Sequence, residues 1–192
     1  MNGGPLPTAA PKLGRWEDEP KANGWRALVH APTRSVFNRK GELLSIAGEF
    51  GPALDKLQQA HRESGCATVE WFDCEALERR HGLGRGTLII LDWLWSDRYC
   101  SRRWRMQHQL FLGGEAIPVL HHDVVPEPDS LYLLPSWPHG HLGLWAELQR
   151  FNQRVGCLFW EGVVAKRVDS DYPIQLVSPD RETPDWVKHR FA

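Results

Sequence analysis

No apolar run in the chain approaches eighteen residues, so no membrane-spanning helix is expected. The four cysteines, Cys66, Cys74, Cys100 and Cys157, lack CxxC spacing. That argues against a zinc site and against a disulfide framework, and it points to a reducing, cytoplasmic setting. The opening "MNGGPLPTAAPKLG" has no apolar h-region and reads as a Pro/Gly-rich disordered lead over residues 1–15 rather than a secretory signal. Neither sign of charge dominates: 23 Lys+Arg stand against 24 Asp+Glu, a net charge of -1. This excludes a protein that coats nucleic acid through bulk electrostatics. No internal repeat is visible. What remains is 192 residues, 42% of them hydrophobic, enough for one domain with a real core, here residues 16–192. The basic residues are mostly arginine, whose planar fork suits bidentate contact with phosphate.

Along the chain, "WRALVHA" (25–31) and "SVFN" (35–38) read as a hairpin, with "RKGELLS" turning into a third short strand. "EFGPALDKLQQAHRES" (49–64) spaces Phe50, Leu54, Leu57 and Ala60 as a helix does, with Gly65 as its cap. Strands are predicted over 67–76 and 87–95 and a helix over 98–112. A Pro-rich loop follows over 122–138 and an amphipathic helix over 142–156, and strands close the chain at 158–167 and 185–191. Strands in clusters with irregularly placed helices predict an α+β fold built mainly on antiparallel sheets.

Charged residues inside these strands are the chemical signal, because an ionised side chain in an apolar strand is costly unless it is paired or faces a polar cleft. "WFDCEA" puts Asp73 and Glu75 on one face; "WVKHR" does the same for Lys188 and Arg190. Glu161 and Lys166 in "FWEGVVAKR" differ in parity, so a regular strand would point them to opposite faces. Only a bulge or twist would bring both into one site. Lys21, in "EPKANGWR", stands alone at the mouth of a predicted strand, between a proline and Ala22-Asn23-Gly24.

"KANG" followed by Trp-Arg, "NRKG" at 38–41, "DCE" at 73–75, "LIILDWL" at 88–94, "EGVVAKR" at 161–167 and "WVKHR" at 186–190 occur in the order of the collinear motifs of covalent nucleotidyltransferases. Over residues 16–191 the chain most resembles ATP-dependent polynucleotide ligases, the DNA ligase branch especially. The resemblance implies an ATP-grasp-like adenylation domain that uses ATP and Mg2+ and joins nicked DNA by way of AMP held covalently on Lys21. A lysine nucleophile must shed its proton, and Lys166, Lys188, Arg190 and Mg2+ would supply the positive field for that. Glu19 resembles the residue that reads the adenine edge. Arg26 and Arg39 look like the arginines that hold the adenylate phosphate and the nucleic-acid end, and Glu75 matches the ribose-binding residue. Glu161, and secondarily Asp73, would organise the metal. Small neighbours at Ala22 and Gly24 would let a phosphate approach Lys21.

Three positions depart from the pattern. Asn23 stands where DNA ligases carry Asp and is shared with some RNA ligases. Leu91 replaces the aromatic that stacks on adenine, with Trp93 as a possible substitute. The chain also stops at Ala192 without an OB-fold domain, so a protein partner supplying that clamp is an expectation, with the chain itself a monomer. The alternatives are an RNA ligase and a strand-end-binding module that does not seal. Arg98, Arg102 and Arg105 share a helical face that would track phosphates or simply meet solvent. His121, His122, His139 and His141 read as loop residues rather than metal ligands, and Trp25 is the tryptophan placed to meet a substrate.

Overall fold

The computed structural model describes residues 2–3, 15–64, 69–77, 82–94, 98–138, 141–172 and 185–191. Most of the predicted N-terminal lead, Gly65, His139 and Ala192 lie outside them. Two five-stranded sheets organise the chain. The first has the order β1-β12-β11-β2-β10, formed by Asn2–Gly3, Trp186–Arg190, Trp160–Arg167, Trp16–Ala22 and Trp137–Pro138. The second has the order β4-β3-β5-β6-β9, formed by Ser35–Phe37, Trp25–His30, Trp71–Leu77, Thr87–Trp93 and Leu131–Leu133. Pairing is antiparallel except for β1 with β12 and β6 with β9. The fold is α+β, as the strand clustering predicts.

Helix α1 (Gly51–Glu63), with Pro52 in its first turn, follows a 3-10 segment over Ser45–Phe50. Its buried Ala53, Leu54, Leu57 and Ala60 recur at helical spacing and cover the second sheet's inner face of Ala27, Val29, Cys74, Ala76, Leu88 and Ile90. Helix α2 (Tyr99–Gln109) adds Met106 to this core. Helix α3 (His141–Val155) brings Leu144, Leu148 and Phe151 onto Ala22, Phe159, Trp160 and Val163 in a second core. Each of these fully buried large side chains contributes roughly 1.5–3 kcal/mol.

Several expectations are corrected. "RKGELLS" makes only a single bridge, Phe37 to Leu43, because a turn at Asn38–Gly41 intervenes. The Pro-rich 122–138 loop contributes the short β9 and β10 to the two sheets. Helix α2 ends at Gln109, and Phe111–Leu112 leaves it to pair as β7 with β8, Glu115–Ala116. Within the predicted disordered lead, Asn2 and Gly3 pair with Lys188 and His189. No helix among the described residues is long and apolar enough to cross a membrane.

Candidate active site

Strand β2 turns Glu17, Glu19 and Lys21 to one face and Asp18, Pro20 and Ala22 to the other. In register with the first three lie Lys166, Val164 and Gly162 of β11, and with these Trp186, Lys188 and Arg190 of β12. Glu161 joins them through a bulge. The β11–β2 register shifts between Trp160 and Gly162, leaving Glu161 as the extra residue. Two contacts fix that bulge. Asn152 of α3 donates to the Trp160 carbonyl (2.7 Å) and accepts from the Phe159 and Trp160 amides (3.1 and 2.9 Å). Gly162, at φ 150°, lies so near β12 that an added Cβ would stand 1.9 Å from the His189 carbonyl oxygen.

The bulge lets Glu161 Oε2 form an ion pair with Lys21 Nζ, and Arg190 Nε lies 3.4 Å from the same oxygen. The Lys188 side chain makes no hydrogen bond or ion pair among the described residues. Burial first, then Arg26, Lys21 and Arg190, push its ammonium below the ordinary lysine range.

The second sheet supplies the other wall. Arg26 grips Asp73 in a fork, Nε to Oδ1 at 2.8 Å and Nη2 to Oδ2 at 2.5 Å. The Tyr172 hydroxyl donates to Asp73 Oδ2 (3.1 Å) and accepts from Arg26 (3.2 Å). Asp73 and Tyr172 thus hold the guanidinium firmly charged. Glu75 accepts the Gly24 amide (3.0 Å). Burial, with Asp73 adding to it, pushes the Glu75 carboxyl up to about 7 against the pull of Lys21 and Arg26.

Lys21, Glu161, Lys188, Arg190, Arg26, Asp73 and Glu75 therefore form one electrostatically connected cluster, and the other expected residues stand apart from it. Glu19 is 1% exposed: its oxygens take the Tyr99 hydroxyl (2.5 Å) and Lys166 Nζ (2.8 Å). Lys166, 3% exposed, is enclosed between the Tyr99 and Trp186 rings, 5.0 and 4.4 Å from their centroids. Glu19 and Lys166 are thus paired with each other and buried beside the cluster. Asp73 has both oxygens engaged by Arg26 and Tyr172. Arg39 is exposed on the turn after β4. Leu91 is the extra residue of a second bulge, between the Asp73–Asp92 and Cys74–Ile90 pairs, and packs against the second core. Trp93 is fully buried 6.5 Å from Phe72 in the first core and cannot replace the missing aromatic.

The reason expected for the small residues is corrected as well. Ala22 faces the second core, and Gly24 is small because a Cβ would meet the Ala76 carbonyl oxygen at 2.7 Å and Glu75 Cγ at 2.9 Å. Asn23 donates its side-chain amide to the Leu158 carbonyl (2.9 Å), a bond that an aspartate could not make. Arg102 does not track phosphate. It is wholly buried and forks onto Asp92 at 2.9 and 3.1 Å. Trp25 is 39% exposed. His122 pairs with Glu147 (2.7 Å), and no group of three or more His, Cys, Asp or Glu among the described residues could hold a metal.

Sequence reasoning missed Tyr99, Tyr172 and Asp92. The chain has three tyrosines, and two of them hold the acidic residues beside the cleft. Their scarcity was the available signal.

No family model and no curated protein matches the sequence. Solved structures do match. The ligase domain of M. tuberculosis LigD aligns at TM-score 0.58 and 20% identity, over 92% of this chain and 53% of that one. A mycobacterial DNA ligase D complexed with ATP and MES aligns at TM-score 0.55 and 20% identity, over 98% and 60%. A Lig E DNA ligase described as binding DNA with a minimal scaffold aligns at TM-score 0.53 and 10% identity, over 100% and 69%. The chain spans about half the length of the first of these. The two five-stranded sheets and three α-helices among the described residues have the α+β fold of these DNA ligase domains.

Proposed function

We propose that the chain is an ATP-dependent polynucleotide ligase, with DNA as substrate, and that Lys21 is its nucleophile. One observation carries the reading: Lys21 meets Glu161 at a bulge between β2 and β11, ringed by Lys188, Arg190 and Arg26, on a fold shared with DNA ligase domains. In the first step Lys21 Nζ, having lost its proton, attacks the α-phosphorus of ATP. The bond to pyrophosphate breaks, and lysyl-AMP forms. The AMP then passes to a 5'-phosphate, from which a 3'-hydroxyl displaces it.

Lys188, Arg190 and Arg26 surround the reacting phosphates and stabilise charge that develops on them. Glu75, which accepts the Gly24 amide, would accept a ribose hydroxyl. Glu161 Oε1 carries no partner among the described residues. One carboxylate together with substrate phosphates and water is a usual Mg2+ site, so Glu161 fits the ion. Bound there, Mg2+ would neutralise the triphosphate. DNA is favoured over RNA because Asn23, the residue that suggested RNA, is accounted for by its bond to the Leu158 carbonyl.

The test is to incubate the protein with ATP and Mg2+, determine intact mass, and then offer nicked DNA and nicked RNA duplexes. One AMP on Lys21, absent in Lys21→Ala, and sealing of the DNA nick are expected. An adduct on Lys188, or no adduct, would overturn the reading. Binding of the nicked duplex without any adduct would leave a strand-end-binding module.

A further inference from the structure

Asn152 stands in the last turn of α3 and belongs to neither sheet, yet its side chain holds the segment that leads into Glu161. Gly156, at φ 69°, ends the helix by donating its amide to the Asn152 carbonyl (2.9 Å) and turns the chain back. The reversal brings Phe159 and Trp160 alongside that last turn. There the Asn152 side-chain oxygen accepts both of their amides, and its amide nitrogen donates to the Trp160 carbonyl. The turn after Lys21 holds the same segment from its other side, the Asn23 amide donating to the Phe159 carbonyl (2.8 Å).

These bonds select a register. Counted without a bulge from the Gly162–Lys21 pair, Glu161 would stand opposite Ala22 and share its face, which is turned to the second core. With the bulge, Trp160 takes the place opposite Ala22, and Glu161 reaches Lys21. A bulge interrupts the ladder, and the backbone groups it frees need other partners. Asn152 provides three such bonds from one short side chain. An amide carries both the acceptor and the donor that this needs, whereas an ionised aspartate offers acceptors alone.

We propose that Asn152 is a positioning residue: through the backbone of Phe159 and Trp160 it holds the bulge that presents Glu161 to Lys21. Its part in AMP transfer rests on the lysyl-AMP reading above. Its part in holding Glu161 against Lys21 does not.

The test treats wild type, Asn152→Ala, Glu161→Gln and the double variant with an amine-acylating ester at one pH. Peptide mass follows Lys21 against the exposed Lys40 as reference. An ammonium paired with a carboxylate must leave it before it can react. Each single variant should therefore acylate Lys21 about two- to fivefold faster, the range that a partly exposed ion pair supports. The double variant should be no faster than Glu161→Gln alone, because both changes remove the same contact. Wild-type acylation in the Asn152 variant, or single effects that multiply in the double variant, would overturn the proposal. If melting curves show Asn152→Ala to be unfolded, Asn152→Asp keeps both amide bonds, loses the donor, and is read by the same criteria. Single-turnover AMP-adduct formation should be about tenfold slower in the Asn152 variant, with the ATP concentration for half-maximal rate changed by less than about threefold. An unchanged rate, or a loss seen only in the ATP requirement, would also overturn it. If wild type forms no adduct, the ligase reading falls, and the acylation comparison alone decides the role of Asn152.

Discussion

Lys21 and Glu161, 140 residues apart in sequence, meet as an ion pair only because β11 carries one extra residue where it runs beside β2. Both side chains are about one-fifth exposed. Pairs of that exposure contribute under about 1 kcal/mol to stability. Energetically the contact is minor, so the bulge is better explained by the chemistry of the site than by the fold.

This separates activity from stability. Glu161→Ala should cut AMP-adduct formation by about 10²-fold or more. The melting temperature should shift by only about 2–4 °C. Asp73→Asn should do the reverse in stability, costing about 2 kcal/mol, because a 1% exposed carboxylate loses its fork with Arg26. Thermal melts and intact mass on both variants check the contrast. Equal melting shifts would mean that Glu161 is as structural as Asp73.

Glu75 should make stability fall as pH rises. Its carboxyl is pushed from an ordinary 4.5 to about 7 in the fold, chiefly by burial. Below about 4.5 it is protonated folded or unfolded, and the favourable contribution is fully present. Between 4.5 and 7 the unfolded chain ionises first, so the contribution shrinks, and it is gone above 7. Glu75→Gln keeps an acceptor for the Gly24 amide and removes the titration. Relative to wild type it should gain stability between pH 5 and pH 8, by up to about 3 kcal/mol. Urea unfolding across that range measures it. A constant difference would show that another group sets the dependence.

The elements legible in the sequence were those with strong periodicity. Leu54, Leu57 and Ala60 marked α1, and alternation placed Asp73 with Glu75 and Lys188 with Arg190. Parity put Glu161 and Lys166 on opposite faces, and the bulge turned Glu161 to the face that Lys166 shares, a local irregularity that no side-chain period encodes. The burial of Glu19 and Lys166 was not legible: their alternation toward the cleft face holds, but Tyr99 of α2 and Trp186 of β12 pack over them, and that depends on elements other than β2 and β11. Arg102 failed likewise: its partner Asp92 comes from another element.

Gly162→Ala should be among the most damaging small substitutions. A methyl group there would need the space of the His189 carbonyl oxygen, 1.9 Å away, at a φ of 150°. Strands β11 and β12 would have to part, and Lys188 and Arg190 would lose their register with Glu161 and Lys21. A melting temperature lowered by about 10 °C or more, or insoluble protein, is expected. Gly48→Ala serves as the control, since its Cβ meets nothing within 4 Å. If the two variants melted together, the close approach of β11 and β12 would be without consequence.

Nucleic-acid binding should depend on salt only moderately. The chain's net charge is -1, so attraction must come from a few cations at the cleft rather than from an overall field. Arg190 and Arg39 are exposed, Lys40 lies beside Arg39, and Lys188 faces the cleft without an ion-pair partner among the described residues. Arg102 and Lys166 are committed to buried carboxylates and cannot be counted. About 3 to 5 phosphate contacts therefore predict a slope of roughly -3 to -4.5 when the logarithm of affinity is plotted against that of salt concentration. Fluorescence anisotropy with a nicked duplex from 50 to 300 mM salt, roughly the range over which counterion release dominates, gives that slope. Arg190→Ala should flatten it by about one contact. A slope steeper than about -7 would require a basic surface that this cleft does not contain.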